Sequence, residues 1–376
     1  MKIEHLKDSC TACGACVSLC PEKCINFIVD DEGFYFPQID KDKCIKCGKC
    51  EKVCHCLNMK PFDIRKKSYC GYSCDENVRK ESTSGGAFTA IAEACLANGG
   101  KVYGAAFDFN NLSLRHTSTD SVDLKELKKS KYIESYMGDT ISEIQHDIDS
   151  GRRVLFCGTP CQAAGVKNAV RDNNNLLTVV DFICHGVPSA MLFKEHLNNI
   201  LKNKQLLSLD LRPKSMGWSS KNLRLTTKTK TKNIPYYLDT FYKGFMTENA
   251  FLRRSCYSCA YREKHCSDIT IADFWGYRDF DQNINDGKGL SLIVANNAQG
   301  NECINRLENF KLYEMDNKYS DYAYKPKDYS DNLKTRKRFY DEYRLNGFEK
   351  AAKKTFMPDY LKQKLKYQIK KILGKA

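Results

Sequence analysis

The 376-residue sequence predicts an α+β domain clasped by metal, followed by an α/β domain with a mixed sheet flanked by helices. Two observations carry this. Eight of the 20 cysteines fall in two regularly spaced runs before residue 55, and beyond residue 67 short apolar runs alternate with amphipathic stretches of helical period. With 42% hydrophobic residues, a chain of this length buries a substantial core and divides into two or three domains. Its cysteine content is below that of a small disulfide-stapled scaffold, in a chain too long to need staples, so metal chemistry is the better reading.

Taken in order, residues 1–60 form the first domain, punctuated by Gly33, Pro37 and Gly48, and held by metal rather than by a core. A polar linker follows around Pro61–Lys67. Residues 68–150 give a strand over Tyr69–Ser73, a helix from Gly86 to Asn98, a strand over Lys101–Phe107 and an amphipathic helix over Thr140–Ser150. Residues 151–310 continue with strands at Arg153–Phe156 and Leu176–Ile183, a helix over Ser189–Asn203, and strands at Ile269–Phe274 and Leu290–Asn296. The period-two stretch Leu223–Lys232 reads as one lysine-protected edge strand. Residues 311–376 form a basic helical tail. Its last helix puts Leu361, Leu365, Ile369 and Ile372 on one face, opposite Lys362, Lys364, Lys366, Lys370 and Lys371. That face either docks on the protein or touches an anionic membrane surface.

The charge is uneven. Residues 1–60 balance nine Lys against nine acids, whereas 350–376 carry nine Lys against Asp359, so more than half of the formal +14 lies in the last 27 residues. The long middle has no basic block, which argues against a nucleic-acid partner. Glu4 and Asp8 interrupt the amino terminus where a signal peptide would be apolar, and no run approaches the ~18 apolar residues of a membrane span. The expected location is the cytoplasm, with peripheral contact at the inner face of the membrane through the basic helix.

The strongest signal is C-x2-C-x2-C-x3-C written twice: Cys10, Cys13, Cys16 and Cys20, then Cys44, Cys47, Cys50 and Cys54. In two-cluster ferredoxins each run gives three thiolates to one 4Fe-4S cubane and its fourth to the other. One cluster therefore takes Cys10, Cys13, Cys16 and Cys54, and its partner takes Cys44, Cys47, Cys50 and Cys20. Tetrahedral zinc would strand two cysteines per run. The first domain is thus α+β and ferredoxin-like, although His55 stands where proline would follow the last cysteine. Cys24, Cys56, Cys70, Cys74 and Cys95 fit no repeat and read as small buried residues.

Six further cysteines sit beside Gly and Pro at run ends: Cys157 and Cys161 in CGTPC, Cys184 in FICHG, then Cys256, Cys259 and Cys266. Strand ends are where open α/β sheets build their sites, and four of these six thiols would hold a third 4Fe-4S cluster. In STSGGAF, Ser84, Gly85 and Gly86 open a helix, where backbone N–H groups favour a phosphate. No G-x-G-x-x-G occurs, so a Rossmann-type dinucleotide site is unsupported.

Together, STSGGAFTAIAEACLANGG, KKSKYIESYMGD, VLFCGTPCQAAGV, LTVVDFICHGVPS, LRPKSMGW and RSCYSCAYREKHCSDITIADFWG resemble the coenzyme F-420 hydrogenase/dehydrogenase beta-subunit family over about residues 1–300. The resemblance is to its bacterial branch with an amino-terminal ferredoxin domain, often encoded among cell-surface polysaccharide genes. It implies FAD and a third 4Fe-4S cluster on Cys161, Cys184, Cys256 and Cys259, with Cys157 and Cys266 in reserve. It also implies flavin contacts from Ser84, Gly85, Gly86, Lys131, Tyr132, Gly158, Thr159 and Pro160. Lys131 would pair a phosphate or the reduced flavin, the plainer reading being a surface lysine at a strand edge. His185, beside Cys184, is a candidate proton donor.

The expected function is an iron-sulfur flavoprotein oxidoreductase. A ferredoxin or other redox-protein donor would supply electrons, and a small-molecule acceptor, in polysaccharide biosynthesis on the branch resemblance, would receive them. The competing readings are an electron-transfer subunit serving a partner enzyme, a reductase of the deazaflavin coenzyme F-420, and a redox sensor without turnover.

Overall fold

A computed structural model describes residues 2–59, 67–324, 329 and 331–372. The linker expected around Pro61–Lys67 lies, apart from Lys67, outside the described residues. Fourteen strands are described: β1 (Ile25–Val29), β2 (Tyr35–Ile39), β3 (Lys67–Ser73), β4 (Lys101–Asp108), β5 (Ser113–Thr119), β6 (Ser135–Tyr136), β7 (Val154–Cys157), β8 (Leu177–Phe182), β9 (Leu206–Asp210), β10 (Asn222–Thr227), β11 (Thr231–Pro235), β12 (Ile269–Asp273), β13 (Ser291–Ala295) and β14 (Phe310–Met315).

Strands β1 and β2 make an antiparallel hairpin in the first domain, between short helices Ala15–Ser18 and Lys49–Val53 that lie within the two cysteine runs. The second domain is built on a nine-stranded mixed sheet of order β14-β3-β13-β12-β8-β7-β4-β5-β6. Its centre, β12-β8-β7-β4, is parallel, and antiparallel pairings begin with β13 on one side and β5 on the other. Parallel strands need crossover helices, and Pro160–Ala169 supplies one between β7 and β8. Alternation along β7 then decides which core each side chain joins. Leu155 packs with helix Ala87–Ala97, whereas Val154 and Phe156 pack with helices Thr140–Asp149 and Pro160–Ala169. The second core also takes Cys13, Ala15 and Val53, so the ferredoxin-like domain sits on that face of the sheet.

Three expectations are corrected. Leu223–Lys232 is a hairpin, β10 and β11, closed where Thr227 N–H donates to Lys230 C=O at 2.9 Å and Lys230 N–H donates to Thr227 Oγ1 at 3.2 Å. The threonine hydroxyl makes the turn without the Gly, Asn or Pro that would have marked it. Residue 310 is also no domain boundary, because β14 runs through it and pairs with β3. The segments 68–150 and 151–310 share one sheet, in which β3 lies between β13 and β14. Beyond the sheet, helices Asn332–Asn346 and Phe348–Phe356 pack Phe339, Phe348 and Phe356 against Phe251, at ring separations of 5.2, 5.9 and 6.4 Å. Third, the last helix, Tyr360–Ile372, does not dock its leucine face: Leu361, Leu365 and Ile369 are 79, 59 and 48% exposed.

Candidate metal centres

The first cysteine set comes together as the spacing requires. Cys10, Cys13, Cys16 and Cys54 lie within electrostatic reach of one another, and Cys16 also senses Cys50 of the second set. Cys20, Cys44, Cys47 and Cys50 line a recess of about 290 Å³ at the surface, where Cys47 is exposed and Ile45, 61% exposed, stands on the rim. Two thiols that fit no spacing rule join them. Cys24 is buried with its Sγ 3.4 Å from Cys20 Sγ, and Cys56 holds a hydrogen bond to Ser9 C=O at 3.1 Å beside Cys54. Both lie within four residues of a run cysteine but outside the C-x2-C-x2-C-x3-C pattern, so the spacing rule does not flag them. Cys70 is buried in β3 as expected of a small apolar residue, whereas Cys74 is exposed.

The first set faces the second domain. A Cβ on Gly165, in helix Pro160–Ala169, would lie 2.6 Å from Cys13 Cβ, so glycine is what lets the helix approach this cysteine. His55 closes the junction, its Nε2 paired with Thr11 Oγ1 at 2.9 Å and its Nδ1 with Tyr261 OH at 2.8 Å. The residue standing where proline was expected is therefore a bolt between domains. Arg253 is a second bolt, and nothing in the sequence marked it. Its buried guanidinium donates to Cys10 C=O at 3.0 Å, Tyr35 C=O at 2.7 Å and Glu134 Oε1 at 3.1 Å.

Four of the six cysteines at the run ends converge on the other side of that junction. Cys161, in the first turn of helix Pro160–Ala169, Cys184, just after β8, and Cys256 and Cys259 are mutual electrostatic neighbours. Cys161, Cys256 and Cys259 line a recess of about 450 Å³ together with Thr11, Glu134 and Arg253. The two reserves face elsewhere, Cys157 toward Lys131 and Asp181, and Cys266 toward Asp181 and Lys167. Burial pushes the Cys161 thiol up to about 11 and that of Cys256 to about 12. Thiolates there need a metal partner, and loading the set would release protons. Val187 N–H donates to Cys256 Sγ at 3.4 Å, and Thr159 Oγ1 lies 3.2 Å from Cys161 Sγ. Among the described residues, no three His, Cys, Asp or Glu side chains could hold a single metal ion. A cubane instead puts each thiolate on its own iron. The donor chemistry fits a third cluster.

Ser84, Gly85, Gly86, Lys131, Tyr132, Gly158, Thr159 and Pro160 lie along the carboxyl edge of the parallel strands. Ser130 N–H donates to Thr83 Oγ1 at 2.9 Å and joins two of these segments, while the Lys131 amine senses Cys157 at the end of β7. The Ser84–Gly86 loop already spends donors internally, the Gly85 and Ala87 N–H groups both reaching Ser291 Oγ, at 2.9 and 3.4 Å. Thr159 and Pro160 form a capping box with Gln162. Lys131 is not a surface lysine. Its part-buried amine donates to the carbonyls of Leu127, Lys128 and Lys129 at 3.1, 2.6 and 3.4 Å, and burial holds it down to about 8. Lys214, of LRPKSMGW, donates likewise to the carbonyls of Arg79, Ser84 and Lys288, and burial also lowers it to about 8. Two ammonium groups whose hydrogen bonds go to carbonyls leave positive charge on this edge, which fits an anionic cofactor. His185 has both ring nitrogens engaged, Nε2 by Asn249 Oδ1 at 2.7 Å and Nδ1 by Tyr329 OH at 3.3 Å, so it braces the backbone beside Cys184.

Residues 151–320 match the family model for the C terminus of the beta subunit of coenzyme F420 hydrogenase/dehydrogenase, and residues 9–58 match the 4Fe-4S dicluster domain. No curated protein matches the chain. Among solved structures, a chain of the xenon-derivatized F420-reducing [NiFe] hydrogenase complex from Methanosarcina barkeri is similar at a TM-score of 0.48 and 15% identity, over 74% of this chain and 94% of that one.

Proposed function

We propose, from the premise that the chain belongs to the coenzyme F420 hydrogenase/dehydrogenase beta-subunit family and carries a 4Fe-4S dicluster domain, that it is an iron-sulfur flavoprotein oxidoreductase acting on a small organic acceptor. That membership makes it an iron-sulfur electron-transfer protein. The observation that carries the finer reading is the order of the thiol sets. The surface set adjoins the junction set through Cys50 and Cys16, and the junction set adjoins the interior set through Cys13 and Cys161. A storage or purely structural arrangement has no need of such a line.

When bound, the clusters pass single electrons and the flavin pairs them for two-electron chemistry. Cys20, Cys44, Cys47 and Cys50 would hold the outermost cluster, beside the exposed Ile45 where a ferredoxin-type donor can dock. Cys10, Cys13, Cys16 and Cys54 would hold the middle one. Cys161, Cys184, Cys256 and Cys259 would hold the third, closest to the cationic edge where Lys131 and Lys214 would face FAD. Arg253 holds its charge between the middle and third sets, acting on Cys10, Cys161 and Cys256.

The test is anaerobic purification followed by iron, acid-labile sulfide and flavin quantification. About twelve iron and one FAD per chain are expected for three cubanes. Cys259→Ala should then lose about four iron while the ferredoxin-type signals persist. About eight iron with no flavin would instead leave an electron carrier serving a partner enzyme. Given the full complement, sugar-linked and quinone-like acceptors, and bleaching of the deazaflavin coenzyme, separate the possible substrates.

A further inference from the structure

The last helix, Tyr360–Ile372, takes no part in any of these sites, and its packing is unusual. One face leans on the protein: Tyr360 packs against the large aromatic core, and Tyr367 meets the Tyr237 ring at 6.4 Å. Residues at four-residue spacing share a different face, and Leu361, Leu365 and Ile369 turn it outward, mostly exposed. No acidic residue occurs from Tyr360 to Ile372, while Lys362, Lys364, Lys366 and Lys370 are all exposed. An apolar stripe bordered by lysines and turned away from its own protein costs solvation unless something covers it.

The neighbourhood identifies the occupant by charge. Tyr237 lies two residues beyond the β10–β11 hairpin, whose turn and edge carry the exposed Lys228, Lys230 and Lys232. Lys202 and Lys204 crowd the same hairpin closely enough to be felt by Lys232. The helix and the hairpin therefore form one basic flank around an apolar stripe. A second copy of the chain would bring like charges together on that flank. An anionic bilayer meets both demands at once, with acyl chains for the leucines and phosphates for the lysines.

We propose that this flank is a peripheral docking surface for an anionic lipid membrane, with Leu361, Leu365 and Ile369 entering the acyl boundary and the surrounding lysines pairing headgroup phosphates. Among the described residues no helix is long and apolar enough to cross a membrane, so the contact is interfacial.

The test is flotation of the anaerobically purified full chain with vesicles of phosphatidylcholine alone and of phosphatidylcholine mixed with phosphatidylglycerol. Binding is expected to the mixed vesicles and to weaken with salt, because exposed charges are screened within about 10 Å at 0.1 M. Leu361→Glu with Leu365→Glu should abolish it. Lys362→Gln with Lys366→Gln should weaken it about thirtyfold, and Lys228→Gln with Lys230→Gln should weaken it less. All these positions are exposed, so cluster absorbance should be unchanged in each variant. Absence of flotation with the mixed vesicles would overturn the proposal. So would binding that survives the double glutamate variant, or a dimer that this variant dissolves in the absence of lipid.

Discussion

Arg253 is the residue on which most of the junction turns, since its guanidinium binds backbone of the ferredoxin-like domain and one buried carboxylate, Glu134, of the second domain. Removing one partner of a buried ion pair costs about 3–5 kcal/mol, because the other charge stays buried and uncompensated. Arg253→Met alone should therefore unfold the junction. Arg253→Met with Glu134→Gln spares that cost and isolates the electrostatic role. A cation that favours the added electron is then gone, so redox titration followed by electron paramagnetic resonance should show more negative midpoints for the middle and third clusters. The outermost cluster should be unmoved, and Arg253→Lys should restore most of the difference.

His196 supports a prediction about pH. Burial disfavours its imidazolium, but Asp239 at 2.9 Å and Glu349 at 3.0 Å outweigh this and raise it to about 9. A folded-state value above the unfolded one of about 6.5 stabilises fully below pH 6.5 and is lost as pH rises through about 9. The contribution is on the order of 3 kcal/mol at the low end. Anaerobic melting should show His196→Gln far below wild type at pH 6, with the gap closing toward pH 10. A constant gap would mean that packing, not charge, is what the substitution removes.

Among the elements, helix Pro160–Ala169 does three things: it crosses between β7 and β8, it offers Cys161, and it presents Gly165 to Cys13. Gly165→Ala gains about 1 kcal/mol of helix propensity but overpacks against the cysteine, which costs about 1–3 kcal/mol. The second effect wins, so the variant should purify with less iron in the junction set and transfer electrons more slowly to the interior. Most of the central strands were legible, because apolar runs and the Gly and Pro beside them mark such boundaries. The hairpin at residues 222–235 was not, since its threonine-lysine alternation continues unbroken through the turn. The metal sites divide in the same way. Spacing alone picks out the eight cysteines of the two runs, whereas His55 and Arg253 reach their partners through tertiary contacts that no local pattern records.

At the scale of the whole molecule, β3 is inserted between β13 and β14, so segments more than 200 residues apart complete one sheet. Such non-local pairing carries a high loop-closure cost and folds slowly. The body is therefore expected to refold over seconds or longer, which stopped-flow fluorescence of Trp218 and Trp275 would follow; these rings stack at 4.3 Å in the body. The basic hairpin and last helix lie outside this sheet, so their substitutions should leave that rate unchanged.

The contact between Gly165 and Cys13 also sets an order of manufacture. A cluster held by Cys10, Cys13, Cys16 and Cys54 would be covered on its Cys13 side by the helix that carries the next cysteine set, and Cys13 is only 9% exposed. Iron and sulfide delivered after the two domains had closed would have to reach Cys13 past that helix, whereas Cys10, Cys16 and Cys54 are only half-buried. Loading of this set is therefore expected to precede closure of the junction. Chain made in iron-starved cells should be nicked by protease at the Cys13 and His55 segments, which the loaded protein keeps shut.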